Sequence, residues 1–494
     1  MAFTPSRYQQ SIYNFIQDGT GNAVIDAVAG SGKSTTIVNA LELIPQDQSV
    51  LFLAFNKAIV EELKIKIGNL PNTEIRTLHS LGSSSLMKQI RTNIQADKYR
   101  TWVNTGIKFG AITPDRDLDY EDLSEYKANI MKLIDLVRVN LSDSYMDAQD
   151  LANKHDLDLL DNEIEIALKA IKWGLNDLTQ IDFTDMIYFP NVKNIRMEQY
   201  DWVFIDECQD LNAAQRELFL KCVKPGTGRF IAVGDPRQAI YGFAGADVLS
   251  FNILKSLPNT IEMPLSVCYR CDTQVIDIAK SIVPHIEARE GAPEGVVNME
   301  ASINDVQDGD MILCRVTAPL AELCMKYIAN GVKAYIKGKD IGTNLINMIN
   351  KTRRTNILEM MSIFDRELDK VAQRVSSLQK CSIGEAKQSN QYKLYADKVK
   401  AIEVLSEGLT QTRQLISRIE SIFNDNNRSG ICLSTIHKSK GLEADRVFIA
   451  CPDKLYNRRA MQVDWMAAQE SNLVYVAYTR AKHYLGFIQD FQSK

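Results

Sequence analysis

The stretch "AVAGSGKST", residues 27–35, constrains the fold more than any other part of the chain. It follows a short run of β-favouring residues, "AVID", and it opens a segment in which Ile37, Leu41 and Ile44 recur at helical spacing. When a strand, a glycine-rich turn and a helix follow in this order, backbone N–H groups of the turn wrap phosphates at the helix N-terminus. The sequence therefore predicts an α/β domain that binds a nucleotide.

Two side chains of this loop carry the expected phosphate chemistry. Lys33 would reach the β- and γ-phosphates, and Ser34 would ligate Mg²⁺. A chance glycine-rich turn is the alternative, and the flanking strand and helix disfavour it. The remaining loop residues would surround the phosphates: Ala29, Gly30, Ser31, Gly32 and Thr35.

Short hydrophobic runs alternate with helical segments through most of the chain. The runs include "SVLFLAF", "WVFID", "RFIAVGD", "DMILCRV" and "KAYIKG". Strands that alternate with helices form parallel sheets, which bind ligands at the carboxyl ends of their strands. Two long, charged and mostly helical segments interrupt this alternation. The predicted fold class is therefore α/β, with two parallel-sheet domains and a mainly helical insertion in each.

The composition shifts give the expected domain bounds. The first sheet domain is expected to comprise residues 1–83 and 179–262, and its insertion residues 84–178. The second sheet domain is expected to comprise residues 263–349 and 429–494, and its shorter insertion residues 350–428. The acidic stretch 143–165 is expected to be a solvated face of the first insertion, since charge runs are usually exposed.

The stretch "VFIDECQD" supplies a carboxylate pair at the end of a predicted strand. Asp206 could hold Mg²⁺ through water, and Glu207 could orient or deprotonate an attacking water. A surface acidic turn is the alternative for this stretch alone. With a phosphate loop upstream, the pair predicts hydrolysis of a nucleoside triphosphate.

Composition sets limits on location and partners. No apolar run approaches the roughly 18–20 residues that cross a bilayer, and the N-terminus has no signal-peptide core. Nine cysteines favour a reducing compartment with free thiols. Cys268 and Cys271 form a single C-x-x-C, which without a second pair does not predict zinc. The net charge of −5 means that any nucleic-acid binding must come from a local groove.

Further short motifs follow one another along the chain, before and after the phosphate loop and the carboxylate pair. "TPSRYQQSI", "LAFNKA" and "TLHS" lie in the first third of the chain, and "FIAVGDPRQAIYGFAGAD" follows the carboxylate pair. "LSVCYRC", "TIHKSKGLE" and "LVYVAYTRAK" lie in the second half. Together with the phosphate loop, this set resembles the superfamily 1 DNA helicases of the UvrD/Rep/PcrA type. The motifs run from Gln9 to Lys482, nearly the whole chain.

The resemblance implies two RecA-like P-loop domains that use ATP with Mg²⁺. Gln9 would read the adenine edge, Tyr269 would stack on the adenine, and Glu443 would lie near the ribose. Together with Lys33, Asp206 and Glu207, these residues would form the ATP site.

The resemblance also implies a set of groups that act on the γ-phosphate. Gln238 would contact this phosphate or the attacking water. Arg270 and Arg480 would stabilise the charge that develops there in the transition state, since a guanidinium stays ionised and binds phosphate oxygens in pairs. For Arg270 alone, without the resemblance, a surface ion pair would be the simpler interpretation.

Two aromatic residues follow Gln238 on the same loop. Tyr241 and Phe243 would lie in the single-strand channel, where stacking contributes roughly 1–3 kcal/mol per base whatever the sequence. Core packing is the alternative for both rings. Further candidates for the strand path are Phe55, Asn56, Thr77, His79, Thr435 and His437, with a buried structural histidine as the alternative for His79.

The chain departs from the family pattern at three places. Ala244 follows Phe243 where the family usually has arginine, which removes one expected contact of the coupling loop. Phe55 lies directly before Asn56, one position nearer than the family's aromatic. The second insertion is short, so the chain is similar to compact phage-type or F-box-helicase-type relatives.

The function that the resemblance implies is an ATP-dependent helicase. It would move 3′→5′ on single-stranded DNA and unwind duplex in replication, recombination or repair. The alternatives are a translocase that strips proteins with little unwinding, and a slow ATP-gated DNA-binding or loading factor.

The expected partners and location follow from the same resemblance. The partners are single-stranded DNA and its junctions with duplex, with single-strand-binding or recombination proteins as further candidates and no membrane. A monomeric motor is expected in the cytoplasm of a bacterial or phage-infected cell, or in the nucleus of a eukaryote.

Overall fold

The chain divides into two compact units, residues 1–267 and 268–494. The computed structural model describes residues 4–54, 56–68, 70–115, 117–118, 120–155, 157, 159, 161–240, 249–423, 425, 429–456 and 464–491. Phe55, Tyr241, Phe243 and Ala244 lie outside the described residues, so their predicted roles stay predictions. Within the described ranges, no helix is both long enough and apolar enough to span a bilayer.

The first unit is built on a parallel sheet. The strands of this unit are β1 Asn22–Ala27, β2 Val50–Ala54, β3 Thr73–Thr77, β4 Asn93–Ile94, β5 Gln180–Ile181, β6 Trp202–Ile205, β7 Arg229–Gly234 and β8 Thr260–Leu265. Among the described residues, six of these strands form the sheet in the order β3-β2-β6-β7-β1-β8. Strands β4 and β5 form a separate parallel pair. The sheet bears out the α/β prediction for this half of the chain.

Helices cover both faces of this sheet. They are α1 Arg7–Asp18, α2 Lys33–Leu41, α3 Lys57–Ile67, α4 Leu78–Gln89, α5 Lys98–Lys108, α6 Tyr120–Val139, α7 Tyr145–Lys154, α8 Glu163–Asn176, α9 Asp185–Val192, α10 Ala213–Leu220 and α11 Ser250–Lys255. Successive strand residues point to opposite faces. In β1, Ile25 packs with α1, α2 and α3, whereas Val24 packs with α4, α10 and α11.

The first insertion is helical, as expected, and has its own hydrophobic core. Helices α5 to α8 pack around Tyr126, Ile130 and Ile134 of α6, and α4 and α9 contribute to the same core. The acidic stretch is only partly a solvated face, because Glu163 is fully buried at the start of α8. Its carboxylate accepts hydrogen bonds from Asn129 and from the Asp161 backbone N–H at 2.6 Å, so it serves as a local anchor.

The second unit also has a parallel sheet. Its strands are β9 Val267–Cys268, β10 Glu287–Ala288, β11 Val296–Ala301, β12 Met311–Cys314, β13 Ala334–Lys337, β14 Ile431–Thr435, β15 Ala444–Ile449 and β16 Ala481–Ile488. Among the described residues, six of these strands form the sheet in the order β11-β16-β15-β12-β14-β13, and β9 and β10 form a separate pair. Its helices are α12 Thr273–Ala279, α13 Ala318–Ala329, α14 Lys339–Lys351, α15 Ile357–Gln379, α16 Ile383–Ala386, α17 Asn390–Ser406, α18 Thr412–Ile422 and α19 Asp464–Tyr478. Two parallel sheets with helical insertions confirm the predicted fold class.

The second insertion shares one hydrophobic core with its sheet domain. Phe364 of α15 and Leu405 of α17 belong to the same buried cluster as Ile312 of β12 and Leu323 of α13. Asp397 of α17 also accepts the Thr317 and Ala318 backbone N–H groups at 2.8 and 2.9 Å, and so caps the N-terminus of α13. The insertion and the sheet are therefore one packed body.

Candidate active site

The carboxyl ends of parallel strands meet at one edge of a sheet, and the predicted site residues of the first unit follow these ends. The phosphate loop follows β1, Asn56 follows β2, Thr77 ends β3, Asp206 follows β6 and Gln238 lies beyond β7. The fold therefore brings to one sheet edge residues that are more than 200 positions apart in sequence, from the phosphate loop to Gln238.

The phosphate loop has the backbone that such a loop requires. Gly30 and Gly32 have φ values of 67° and 78°, in the left-handed region that favours glycine. Helix α2 begins directly after Gly32, whose carbonyl accepts the Thr36 hydroxyl at 3.0 Å. Ser31 is buried, and its hydroxyl oxygen has no hydrogen-bond partner among the described residues. A polar group left open in this way suits a loop whose ligand is a phosphate.

Lys33, the first residue of α2, lies against the carboxylate pair. Its Nζ is 3.1 and 3.2 Å from the two carboxylate oxygens of Glu207. Burial alone would lower the pKa of Lys33, but the carboxylates of Glu207, Asp206 and Asp235 outweigh burial and raise the pKa. The ammonium is therefore held charged at the centre of the site.

Asp206 and Glu207 form the acidic side of the site. Glu207 has a φ of 54°, which is uncommon for a residue with a side chain and is typical of functional turns. Its backbone N–H donates to Asp206 Oδ1 at 2.8 Å. Burial, followed by the charge of Glu207, raises the pKa of Asp206 to about 6. A cation would relieve this cost, and the Asp206 carboxylate with the Ser34 hydroxyl of α2 offers the oxygen ligands that Mg²⁺ prefers.

Gln209 joins the carboxylate pair to the next strand. Its amide Nε2 donates to Glu207 Oε2 at 2.5 Å, and its Oε1 accepts the Asp235 backbone N–H at 3.0 Å. A Cβ at Gly234 would lie 2.3 Å from this same oxygen, so glycine is needed beside it. Gln209 is absent from the residues predicted above, although its place two residues after Glu207 in the same turn is a usable signal.

Gln238 is buried at the end of this chain of contacts. Its Nε2 donates to Asp235 Oδ2 at 2.7 Å, and this hydrogen bond fixes the buried side chain. Arg237 beside it donates to Asp26 of β1 at 2.5 Å. Burial raises the pKa of the fully buried Asp235 carboxyl, partly offset by Arg237 and Lys33. A continuous path of hydrogen bonds thus runs from Lys33 to Gln238.

Gln9 lies in the first turn of α1, and its amide group is engaged within the first unit. Its Oε1 accepts the Ser6 backbone N–H at 2.9 Å, and its Nε2 donates to the Thr36 hydroxyl of α2 at 2.9 Å. The side chain is buried and ties α1 to the helix that follows the phosphate loop. Its predicted role in reading adenine stays a prediction.

Three residues that are predicted to contact the strand lie at or near the first residue of a helix, at the same edge of the sheet. The Asn56 and Thr77 side chains cap α3 and α4 by accepting the Ile59 and Ser80 backbone N–H groups at 2.9 and 3.1 Å. His79 lies in the first turn of α4, and burial lowers its pKa, which favours the neutral ring. Their contacts with DNA stay predictions.

Phe183 is an aromatic residue that no motif in the sequence singles out. It is 57% exposed, although Asp182 and Asp185 on either side are buried. Helix α9, which begins at Asp185, packs closely on α4, because a Cβ at Gly82 would lie 1.9 Å from the Met186 carbonyl oxygen. Phe183 is therefore an exposed residue just before a helix that packs closely on α4.

The second unit holds the other predicted nucleotide residues. Arg270 donates through Nε to Glu443 Oε2 at 2.6 Å and through a terminal nitrogen to the Thr479 carbonyl at 3.2 Å. Burial would raise the pKa of Glu443, but Arg270 and Lys482 outweigh it and lower the pKa. Tyr269 beside Arg270 is 39% exposed, and its predicted stacking on adenine stays a prediction.

Arg480 is almost fully buried within the second unit. Its guanidinium donates to the Val476 and Leu442 carbonyls at 2.9 and 3.0 Å and to the Thr479 hydroxyl at 3.2 Å. The structure therefore brings Arg270, Glu443 and Arg480 into one region around Thr479. The γ-phosphate roles of the two arginines stay predictions.

Thr435 and His437 follow β14 in the second unit. The Thr435 hydroxyl accepts the Lys438 backbone N–H at 3.4 Å. Burial, with the charges of Arg315 and Lys438, lowers the pKa of His437 to about 3, so its ring is neutral at physiological pH. A neutral imidazole can both donate and accept hydrogen bonds, which suits the predicted contact with a strand.

Comparison with known proteins gives matches over most of the chain. Residues 8–258 match the model of the UvrD/REP helicase N-terminal domain, and residues 430–488 match that of the UvrD-like helicase C-terminal domain. A probable DNA helicase II homolog of Mycoplasma capricolum is 24% identical over 342 residues, which cover 63% of this chain and 44% of that protein.

Two further relatives have similar names. The ATP-dependent DNA helicase PcrA of Leuconostoc citreum is 24% identical and covers 56% of this chain and 38% of its own length. F-box DNA helicase 1 of Gallus gallus is 22% identical and covers 98% of this chain and 49% of its own length. The chain thus spans about half the length of these relatives, or less.

Proposed function

Because the chain belongs to the UvrD/Rep helicase family, we propose that it is an ATP-dependent DNA helicase that moves 3′→5′ on single-stranded DNA. One observation carries the proposal furthest. Buried side chains connect Lys33 and Glu207 through Gln209 and Asp235 to Gln238, directly before the loop of Tyr241 and Phe243. Such a path can link hydrolysis to the grip on a strand.

The residues of the first unit support ATP hydrolysis. ATP with Mg²⁺ would supply the phosphoanhydride bond whose cleavage drives movement. Ser34 and Asp206 would hold the metal, and the phosphate-loop backbone would hold the phosphates. Lys33 would exchange Glu207 for phosphate oxygens, which lets the Glu207 carboxylate accept a proton from the attacking water. Arg270 and Arg480 are proposed as the groups that stabilise charge on the γ-phosphate.

The strand path is proposed along the sheet edge of the first unit. Asn56, Thr77 and His79 lie where helices begin at this edge, and the exposed Phe183 is added as a further candidate. Rings on rigid supports can stack on bases of any sequence. Thr435 and His437 are the candidates from the second unit.

A translocase that displaces proteins with little unwinding is a second candidate. The short second insertion favours it, because this insertion is packed into the core of its sheet domain. A packed insertion has limited freedom to act on a duplex as a separate body.

The first test is steady-state ATP hydrolysis with and without a long, unstructured single-stranded DNA. We expect strong stimulation, because the path from Glu207 to Gln238 ends directly before the segment that contains Tyr241 and Phe243 in the sequence. Equal rates would contradict coupling between the strand and ATP hydrolysis and would favour the ATP-gated binding factor.

Unwinding assays on a 3′-tailed and a 5′-tailed duplex then distinguish the remaining candidates. The helicase is supported if only the 3′-tailed duplex is unwound. The translocase is supported if a bound protein is cleared from the DNA without unwinding. The proposed polarity is contradicted if only the 5′-tailed duplex is unwound.

Replacement of Gln209 by leucine tests the connecting path. The variant keeps the size of the side chain but loses the hydrogen bonds to Glu207 and to the Asp235 N–H. We expect kcat for ATP hydrolysis to fall about 10²-fold with little change in KM, since a misplaced general base loses its contribution to the transition state. Gln149→Leu, at an exposed hydrogen bond of α7, is the matched control. An unchanged kcat in Gln209→Leu would refute the positioning role.

A further inference from the structure

One aspartate joins the two segments of the second unit that carry Arg270 and Arg480. The Asp272 backbone N–H donates to the Lys482 carbonyl at 2.9 Å, and its carboxylate Oδ2 lies 2.8 Å from Nδ1 of His483. Because an ionised carboxylate only accepts hydrogen bonds, Nδ1 of the histidine is assigned as the donor. Asp272 follows Arg270 by two positions, and Lys482 follows Arg480 by two, so the contacts come equally soon after each arginine.

The start of α12 explains why the Asp272 carboxylate is available for this contact. Asp272 directly precedes α12, where an aspartate side chain usually caps one of the first N–H groups of the helix. Here the first two helical N–H groups donate instead to the carbonyls of residues 293 and 294, at 3.0 and 2.9 Å. The Asp272 side chain makes no capping bond, so its carboxylate is left for the contact with β16.

The two side chains of the Asp272–His483 pair differ in burial. The Asp272 side chain is 3% exposed, whereas that of His483 is 53% exposed. Gly295 approaches the aspartate so closely that a Cβ there would lie 2.6 Å from Asp272 Cβ. The second carboxylate oxygen, Oδ1, is buried and has no hydrogen-bond partner among the described residues. The hydrogen bond from His483 therefore holds this carboxylate, and its loss would leave a buried acceptor without a donor.

The same two segments are also joined at Arg270 itself. Arg270 donates to the carbonyl of Thr479, the residue directly before Arg480. Arg480 therefore lies between two points at which its segment is joined to the segment of Arg270, and the Asp272–His483 pair belongs to the second point. Groups that act together on one phosphate need accurate spacing, because a misplacement of about 1 Å can remove a large part of the rate.

We propose that Asp272 and His483 are positioning residues for ATP hydrolysis, and that their hydrogen bond keeps Arg270 and Arg480 at the spacing that the γ-phosphate requires in the transition state. This inference rests on the proposed function, in which both arginines stabilise charge on that phosphate. Asp272 and His483 act through the arginines and do not touch the nucleotide. Loss of their hydrogen bond should therefore lower kcat for ATP hydrolysis and leave KM nearly unchanged.

The test measures steady-state ATP hydrolysis of the full chain at saturating single-stranded DNA. His483→Leu removes the donor at an exposed position, and we expect kcat to fall about tenfold or more, with a change in KM of less than about twofold. His483→Asn places an amide N–H at the position of Nδ1 and should restore most of kcat. His285→Leu, at an exposed histidine of the same unit, is the matched control and should keep the parental kcat.

A double variant separates positioning from the cost of an unpaired buried charge. Adding Asp272→Asn to His483→Leu removes the buried charge but does not restore the hydrogen bond, so kcat should stay low. Asp277→Asn, at an exposed pair with Lys280 on α12, is the control for the change of charge. Recovery of kcat in the double variant would assign the loss to the buried charge and overturn the inference. Parental kcat in His483→Leu would overturn it as well.

Binding of ADP with aluminium fluoride, which mimics the γ-phosphate in the transition state, gives a readout that does not need turnover. His483→Leu should weaken binding of this complex about tenfold and leave binding of ADP alone unchanged, because ADP has no γ-phosphate for the arginines to contact. Equal effects on both ligands would overturn the positioning role. A parent chain that hydrolyses no ATP would refute the proposed function, and the ratio of the two affinities would still decide whether the pair positions the arginines.

Discussion

Replacing Lys33 with alanine is expected to lower DNA-stimulated ATP hydrolysis by about 10²–10³-fold, the cost of losing one charged group that stabilises the transition state. Lys33 provides the ammonium that faces Glu207, Asp206 and Asp235. Its removal takes a donor from the phosphates and leaves buried carboxylates without their shared counter-charge. The measurement is steady-state hydrolysis at saturating single-stranded DNA, together with nucleotide binding.

Lys64→Ala is the matched control for this variant. Lys64 lies on the exposed side of α3 in the same unit and forms only a loose pair with Glu61 at 3.6 Å. Its replacement should change turnover by less than about twofold, since exposed pairs contribute little. Hydrolysis at the parental rate in Lys33→Ala would refute the phosphate-loop assignment, whereas equal losses in both variants would indicate a general loss of folded protein.

Replacing Arg138 with methionine is expected to destabilise the first unit by about 3–5 kcal/mol, the usual cost of leaving buried charges without a partner. Arg138 is fully buried in α6, and its guanidinium donates to Asp182 and Asp185 at 2.8 Å and to Asp135 at 2.8 Å. Lys98 shares Asp185 at 3.0 Å. Without Arg138, the buried Asp182 carboxylate loses its main counter-charge.

Denaturant unfolding, followed by circular dichroism and by protease sensitivity of the first insertion, measures this effect. Lys169→Ala, at an exposed α8 pair with Glu165, should change stability by less than about 0.5 kcal/mol. Adding Asp182→Asn to Arg138→Met should recover part of the loss, because it removes the unpaired charge. Parental stability in Arg138→Met would show that this cluster is not an essential anchor. Because Asp182 and Asp185 flank Phe183, a residue that is proposed to contact the strand, we also expect a weakened cluster to lower DNA affinity.

The local chemistry of this chain is predictable from its sequence because its signals are contiguous. Lys33 and Ser34 lie in one loop, and Asp206 and Glu207 lie in one turn, so their residue types and spacing already specify a phosphate and metal site. The parallel sheets are predictable for a similar reason, since buried strands of this class are short continuous hydrophobic runs.

Contacts between residues on neighbouring strands are harder to predict from the sequence. Gln209 meets the Asp235 N–H only because β6 and β7 are adjacent in the sheet. Arg138 resembles any surface arginine of a charged helix until the fold brings Asp182 and Asp185 beside it. The expected solvated face is wrong for Glu163, because its burial depends on the partners Asn129 and Asp161 rather than on the charge of the surrounding stretch.

The single core of the second unit determines how the chain could be shortened. Since Phe364, Leu405 and Leu323 belong to one buried cluster, the second insertion and its sheet should melt together as one cooperative transition. Excision of residues 350–428 would strip that cluster of its insertion side and leave α13 without its Asp397 cap. A shortened motor would therefore have to keep α15, α17 and α18, because these helices supply the insertion side of the cluster.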